Sequence, residues 1–122
     1  MKITSFNPLI ATKEAENVIS LFEELGFERR HTKEGIGKDS VTDVRMKDDN
    51  GFHVDVSQGD GEWMMIRMNV DNFEEAYTFF MSKGFRKAKG FAPSTTASSK
   101  YTYLVSPTGF IIDVCEHIKN HK

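Results

Sequence analysis

The segment Gly109-Phe110-Ile111-Ile112-Asp113-Val114 repeats an earlier one, Gly51-Phe52-His53-Val54-Asp55-Val56. Both read Gly-Phe-x-aliphatic-Asp-Val, and the offset between them, 109 − 51, is 58 residues. Each copy follows a turn sequence and then alternates between apolar and other side chains, which is typical of a β-strand. We therefore expect Asp55 and Asp113 at one register of two equivalent strands, on the less apolar face.

The same offset relates two predicted helices. The first has an N-cap at Thr12 and ends at Gly26, whereas the second has an N-cap at Asp71 and ends at Gly84. Adding 58 carries the apolar face of the first helix (Ala15, Val18, Ile19 and Phe22) onto that of the second (Phe73, Ala76, Tyr77 and Phe80). A gapless match over both helices and both terminal strands indicates an internal repeat.

Each half of the chain is predicted to contain one helix and four strands in the order βαβββ. Residues 1–11 form the first strand, which Pro8 should shorten or place at an edge. Residues 31–40 and 89–99 are polar stretches that we expect to be loops. The prediction is one α+β domain over residues 1–122, with unit 1 at about 1–58 and unit 2 at about 62–118. The two βαβββ units form a cupped mixed β-sheet with the helices on its outer face.

The composition of the chain excludes several classes of function. It has 122 residues, 39% hydrophobic and 28% charged, with a net charge of −2, which gives no basic surface for nucleic acid or membrane binding. No apolar run approaches the roughly 18 residues of a membrane span. The lone Cys115 excludes an internal disulfide. Because no signal peptide is visible either, we expect a cytoplasmic protein.

Three motifs of the repeat resemble the vicinal oxygen chelate superfamily, which includes glyoxalase I, extradiol dioxygenases and bleomycin-resistance proteins. They are Glu24-Leu25-Gly26-Phe27 after the first helix, Val70-Asp71-Asn72-x-x-Glu75-Ala76 entering the second, and Ser106-Pro107-Thr108-Gly109-Phe110-Ile111-Ile112-Asp113 before the last strand. The resemblance covers nearly the whole chain. It implies a small-molecule ligand in the sheet cup and a homodimer.

The resemblance also implies where metal ligands would lie. Metal-dependent members place them on the first and last strands of each unit, which match Phe6, Asp55, Met65 and Asp113 here. Phe6 carries no donor atom, and a thioether is a poor ligand for a hard or borderline divalent ion. The four-ligand site is therefore half missing, and we expect no cofactor and no tightly bound metal ion.

Eight residues are candidates for ligand binding. Arg67 suits an anion or a carboxylate, and we expect it to lie beside Asp55 and Asp113. The remaining candidates are His53, Trp63, Met65, Tyr101 and Tyr103. The alternatives stay open: the aspartates are solvated or salt-bridged acids, His53 is a surface residue, and the aromatic residues form a dimer interface.

The sequence leaves three hypotheses for function. The first is a glyoxalase/bleomycin-resistance-like protein that binds a small organic molecule without the usual metal site. The second is an enzyme of the superfamily, a lyase, isomerase or dioxygenase, that uses Asp55 or Asp113 with an unusual metal or none. The third is a non-catalytic homodimeric module.

Overall fold

A computed structural model describes residues 1–34, 42–88, 94–95 and 99–117 of the chain. Within these residues the elements follow in the order β1 (Ile3–Thr12), α1 (Ala15–Glu24), β2 (Glu28–Glu34), β3 (Thr42–Lys47), β4 (His53–Gln58), β5 (Trp63–Val70), α2 (Phe73–Ser82), β6 (Arg86–Lys87), β7 (Ser94–Thr95), β8 (Ser99–Val105) and β9 (Ile111–His117). The α+β prediction, with a mixed sheet and one helix in each half, is confirmed. No helix in these residues is long and apolar enough to cross a membrane.

The chain forms two compact units. The N-terminal unit is Asn7–Met64, and the C-terminal unit is Met65–Lys122 together with Met1–Phe6. The division falls within β1 and near the start of β5, so each of these strands contributes residues to both units.

In the N-terminal unit, β4 lies between β1, which is parallel to it, and β3, which is antiparallel. Strand β2 continues the sheet beyond β3. Helix α1 covers one sheet face, where alternate side chains of β3 and β4 are apolar. The resulting core contains Ala15, Ile19, Val44, Met46, Val54 and Val56.

The C-terminal unit has the same arrangement around β9. Strand β5 is parallel to β9 on one side, and β8 is antiparallel to it on the other. The two-residue strands β6 and β7 both pair with β8. Helix α2 covers a core of Met68, Val70, Phe73, Ala76, Phe80, Leu104, Ile112 and Val114.

The offset of 58 residues is confirmed by the backbone pairing. Asp55 pairs in register with Leu9, and Asp113 pairs in register with Arg67. Adding 58 to the numbers of the first pair gives the second. On the antiparallel side, Asp55 pairs with Arg45 and Asp113 with Tyr103, again shifted by 58. The two aspartates therefore occupy equivalent positions in their units, as the sequence predicted.

The turns that precede β4 and β9 also match at this offset. Asp48 Oδ1 accepts hydrogen bonds from two backbone N–H groups of its turn, and Ser106 Oγ accepts from three. Gly51 and Gly109 have φ angles of +88° and +106°, which non-glycine residues rarely adopt. A short side-chain acceptor and a glycine three residues later thus fix the entry to each strand.

The same offset relates the starts of the helices. Gln58 Oε1, at the end of β4, accepts a hydrogen bond of 3.2 Å from the backbone N–H of Ala15. Glu116 Oε1, near the end of β9, accepts one of 2.7 Å from the N–H of Phe73. Each bond satisfies a backbone donor that the first turn of a helix leaves without an intrahelical partner.

Several predicted boundaries were wrong. Strand β1 runs for 10 residues and includes Pro8, so the proline does not interrupt it. Strand β2 continues to Glu34, through the start of the predicted loop at 31–40. The N-cap of α2 is Asn72, whose side chain accepts from the Glu75 N–H, whereas Asp71 accepts from the N–H of Lys2. Residues 35–41, 89–93, 96–98 and 118–122 lie outside the described residues.

Candidate functional site

An ion pair lies on the sheet face of the N-terminal unit that faces away from α1. Arg45 donates from Nε and Nη2 to the two carboxylate oxygens of Asp55, each at 2.9 Å. Because neighbouring side chains in register share a face, strand pairing places these two residues side by side. Asn7 Oδ1 lies 3.5 Å from Arg45 Nη2. Strand alternation in the sequence already placed Arg45 on the face of Asp55, but Arg45 was not among the predicted partners.

An equivalent pair lies on the corresponding face of the C-terminal unit. Arg67 Nε donates to Asp113 Oδ2 at 2.9 Å. Tyr103 pairs in register with Asp113 from the other side. The structure therefore brings together Arg67, Asp113 and Tyr103, as the sequence predicted. Asp55 has Arg45 as a partner, an arginine that was not among the predicted site residues.

In both pairs the carboxylate is buried and the guanidinium is more exposed. The side chain of Asp55 is 1% exposed and that of Arg45 28%, while the values for Asp113 and Arg67 are 3% and 15%. Both aspartates are therefore buried and salt-bridged rather than solvated, and their part in ligand binding stays a prediction. Solvent reaches the positive member of each pair more readily than the negative one, which suits an anionic ligand.

Two tyrosines lie next to the Arg67–Asp113 pair. Tyr101 and Tyr103 are both half-buried, their ring centroids are 6.0 Å apart, and the ring planes are inclined at 58°. Successive alternate residues of a strand share a face, so both rings stand on the face that carries Asp113. Met65 is buried on the same face of β5 as Arg67. These five residues combine an ion pair with flat apolar surface and hydroxyl groups.

A further row of polar side chains follows on the same face. Asn69 and Tyr101 both pair in register with Cys115, which is half-buried. Asn69 Nδ2 and His117 Nε2 are 3.2 Å apart. Asn69 is buried, and its Oδ1 atom has no hydrogen-bond partner among the described residues. Asn69 was not among the predicted site residues, although its two-residue spacing from Arg67 placed it on this face.

The other candidate residues belong to the N-terminal unit. His53 is half-buried and pairs in register with Lys47. Trp63 is the first residue of β5 and is 46% exposed. Asp55 and His53 share one face of β4 because they are two residues apart.

The residues at the metal positions of the superfamily do not fit a metal ion. Phe6 is 60% exposed, and strand alternation places Asn7 rather than Phe6 on the face of Leu9 and Asp55, so the first-strand position was assigned one residue too early. Both oxygens of Asp55 accept from a guanidinium, and the other candidates are a thioether and a second ion-paired aspartate. Within the described residues, no three His, Cys, Asp or Glu side chains gather as a metal site would need.

No model of a protein family matches the sequence. No curated protein matches it either.

Solved structures resemble the fold. A glyoxalase/bleomycin resistance protein/dioxygenase superfamily member from Vibrio splendidus 12B01 has a TM-score of 0.61 at 16% identity, over 96% of this chain and 100% of that one. A variant of methylmalonyl-CoA epimerase from Streptomyces coelicolor, in complex with 2-nitronate-propionyl-CoA, has a TM-score of 0.66 at 16% identity, over 99% of both chains. Glyoxalase I from Zea mays has a TM-score of 0.68 at 11% identity, over 98% of this chain and 45% of that one.

At identities of 11 to 16% these likenesses concern the fold and not the reaction. The protein has the fold of the vicinal oxygen chelate superfamily, which its sequence motifs resemble.

Proposed function

We propose that this protein binds a small organic anion with a flat apolar part, and that it does so without a metal ion. The binding surface is the face of the C-terminal unit that carries Met65, Arg67, Tyr101, Tyr103 and Asp113. The observation that carries the proposal is the Arg67–Asp113 pair, in which the buried carboxylate fixes a guanidinium that solvent still reaches.

The chemistry of this face favours an anion over a cation. A guanidinium donates two parallel hydrogen bonds to a carboxylate or phosphate, and its orientation is fixed here by the 2.9 Å bond from Nε to Asp113. A fixed donor loses less conformational entropy when a ligand binds. The rings of Tyr101 and Tyr103 supply flat apolar surface, and their hydroxyl groups supply further hydrogen bonds.

The catalytic alternative has less support. A base must take a proton from its substrate, whereas Asp55 and Asp113 both accept hydrogen bonds from arginines that stabilise their ionised form. Proton transfer to either would compete with an ion pair of good geometry. The homodimeric module stays a prediction, and so does the cytoplasmic location.

Isothermal titration calorimetry of protein treated with a chelator tests the proposal. The panel contains aromatic carboxylates, acyl-coenzyme A thioesters and the neutral amides of the same carboxylates. We expect at least one anion to bind without added metal, and its neutral amide to bind more weakly. The variant Arg67→Gln should weaken binding by about 1–3 kcal/mol, which is the contribution of a hydrogen bond to a charged group.

Arg86→Gln is the matched control, because Arg86 is an exposed arginine of the same unit. It should bind the anion as the wild type does. Arg67→Lys keeps the positive charge beside Asp113 and separates loss of the planar donor from loss of fold. Binding that appears only after a divalent metal is added, or equal affinity in folded Arg67 and Arg86 variants, would contradict the proposal.

A further inference from the structure

The indole of Trp63 rests on the backbone of Gly61. A Cβ atom built at Gly61 would lie 2.1 Å from Nε1, 2.5 Å from Cε2 and 2.7 Å from Cζ2 of that ring. Contacts this short are impossible for real atoms, so only glycine permits this position of the indole. The neighbouring Gly59 has no atom within 4 Å of such a Cβ. The requirement for glycine is therefore specific to Gly61.

The segment beneath the indole is anchored on both sides of Gly61. On one side the Gly59 N–H donates to the carbonyl oxygen of Thr12 at 2.9 Å. On the other side the carboxylate of Glu62 accepts from Thr12 Oγ1 and from the Lys13 N–H, each at 2.8 Å. Anchored in this way, Gly61 forms a fixed seat for the indole.

The seated indole is also open to solvent. Trp63 is 46% exposed, although burying such a ring would stabilise the protein. The residues on either side of Gly61 are Asp60 and Glu62, both exposed and acidic, and the positive charge of Lys13 acts on Glu62. An exposed aromatic ring in an acidic surrounding attracts cations through its negative face.

We propose that Gly61 and Trp63 form a preorganised binding platform for an organic cation, such as a quaternary ammonium or N-alkylpyridinium group. The anchored backbone at Gly61 gives the indole a preformed surface to lie on, so little entropy is lost when the cation stacks on the ring. The acidic residues Asp60 and Glu62 add electrostatic attraction. This inference concerns the N-terminal unit alone and does not rest on the anion site proposed for the C-terminal unit.

The single tryptophan of the chain makes the experiment direct. Fluorescence of Trp63 is titrated with 1-methylnicotinamide, a pyridinium cation that quenches indole, and with neutral nicotinamide as its uncharged analogue. We expect saturable quenching by the cation in the wild type and in Gly59→Ala. In Gly61→Ala the added methyl group displaces the indole from its seat, and the apparent affinity should fall about fivefold or more.

Gly61→Ala should keep the fold, because the atoms that the new methyl group meets belong to the exposed ring of Trp63, which can move into solvent. Circular dichroism and urea unfolding of both alanine variants check this. A second variant, Trp63→Leu, removes the ring. The NMR signals of the cation should broaden when wild-type protein is added, and this broadening should be absent with Trp63→Leu.

Three results would overturn the proposal. They are a linear, unsaturable response of the wild type to the cation, equal affinity for the cation and neutral nicotinamide, and unchanged affinity in a folded Gly61→Ala variant. Loss of affinity in Gly59→Ala as well would also count against it, because that substitution leaves the seat intact.

Discussion

Asp55 and Asp113 occupy equivalent registers 58 residues apart, but their arginines come from opposite sides. Arg45 reaches Asp55 from the antiparallel neighbour β3, and Arg67 reaches Asp113 from the parallel neighbour β5. The position equivalent to Arg45 holds Tyr103, and the position equivalent to Arg67 holds Leu9. In these in-register pairings each buried aspartate thus has an arginine beside it, and Asp113 has Tyr103 on its other side.

In the Arg45–Asp55 pair, replacing the arginine should lower the free energy of unfolding more than replacing the aspartate. Arg45→Met removes both hydrogen bonds that Arg45 donates to the fully buried carboxylate of Asp55, and we expect a loss of about 3–5 kcal/mol in the free energy of unfolding. Asp55→Leu should cost less, because the Arg45 side chain is 28% exposed and its charge is already partly hydrated. Urea unfolding followed by Trp63 fluorescence measures both.

The double variant Arg45→Met/Asp55→Leu should recover most of the loss, since apolar replacements for a buried ion pair are often neutral. Glu74→Ala is the surface control: its bond of 3.3 Å with Lys100 is exposed, and its loss should cost less than about 1 kcal/mol. Additive losses in the double variant would show that the two side chains stabilise the unit independently of each other.

Equivalent aromatic residues of the two helices should differ in their effect on stability. Phe80 is buried in the core of the C-terminal unit, and its ring centroid is 4.9 Å from that of Phe85. Phe22 is half-buried, and its ring centroid is 5.4 Å from that of Phe27. Phe80→Ala should cost about 3–5 kcal/mol. Phe22→Ala should cost about 1.5–3 kcal/mol, because less of its surface is removed from water.

Chemical unfolding of the two variants tests this difference. Leu21→Ala and Phe79→Ala, at exposed positions of the same helices, are the controls and should each change stability far less. An equal loss in the free energy of unfolding for Phe22→Ala and Phe80→Ala would contradict the prediction. The stability of the two halves would then depend equally on this aromatic position, whatever its burial.

The repeat made much of the fold predictable. A single offset fixed the helix faces, the turns and the registers of β4 and β9, because these segments carry strong periodic patterns and glycines. Strand β1 was harder, since Ser5-Phe6-Asn7-Pro8-Leu9-Ile10 mixes polar and apolar residues without clear alternation. A register error of one residue in β1 therefore assigned the first-strand metal-ligand position of the superfamily to Phe6 instead of Asn7.

The site was only partly predictable for a related reason. Arg67, Tyr103 and Asp113 could be grouped because they lie at related positions of adjacent predicted strands. The partner of Asp55 depends on which strand lies beside β4 and on the register of that pairing, and several polar residues of β3 were possible partners. The polar strand β2 has no hydrophobic alternation, so its length could not be predicted from pattern.

The last prediction concerns acid stability and rests on Glu62. The Lys13 N–H and then the Thr12 hydroxyl donate to this carboxylate, and these bonds hold its pKa below the ordinary value of 4.5. Because the folded state has the lower pKa, the stabilisation is present above the unfolded pKa and is lost as the pH falls through the folded one. Between about pH 6 and about pH 3 the wild type should therefore lose more stability than Glu62→Gln.

Thermal unfolding at a series of pH values measures this difference. Thr12→Val removes one of the two donors and should show a pH dependence between those of the wild type and Glu62→Gln, with the Lys13 N–H still bound. An identical pH dependence in wild type and Glu62→Gln would mean that the bonds to Thr12 and Lys13 are no stronger for a carboxylate than for an amide. In that case the anchor beneath Trp63 would depend on the geometry of the bonds and not on the charge of Glu62.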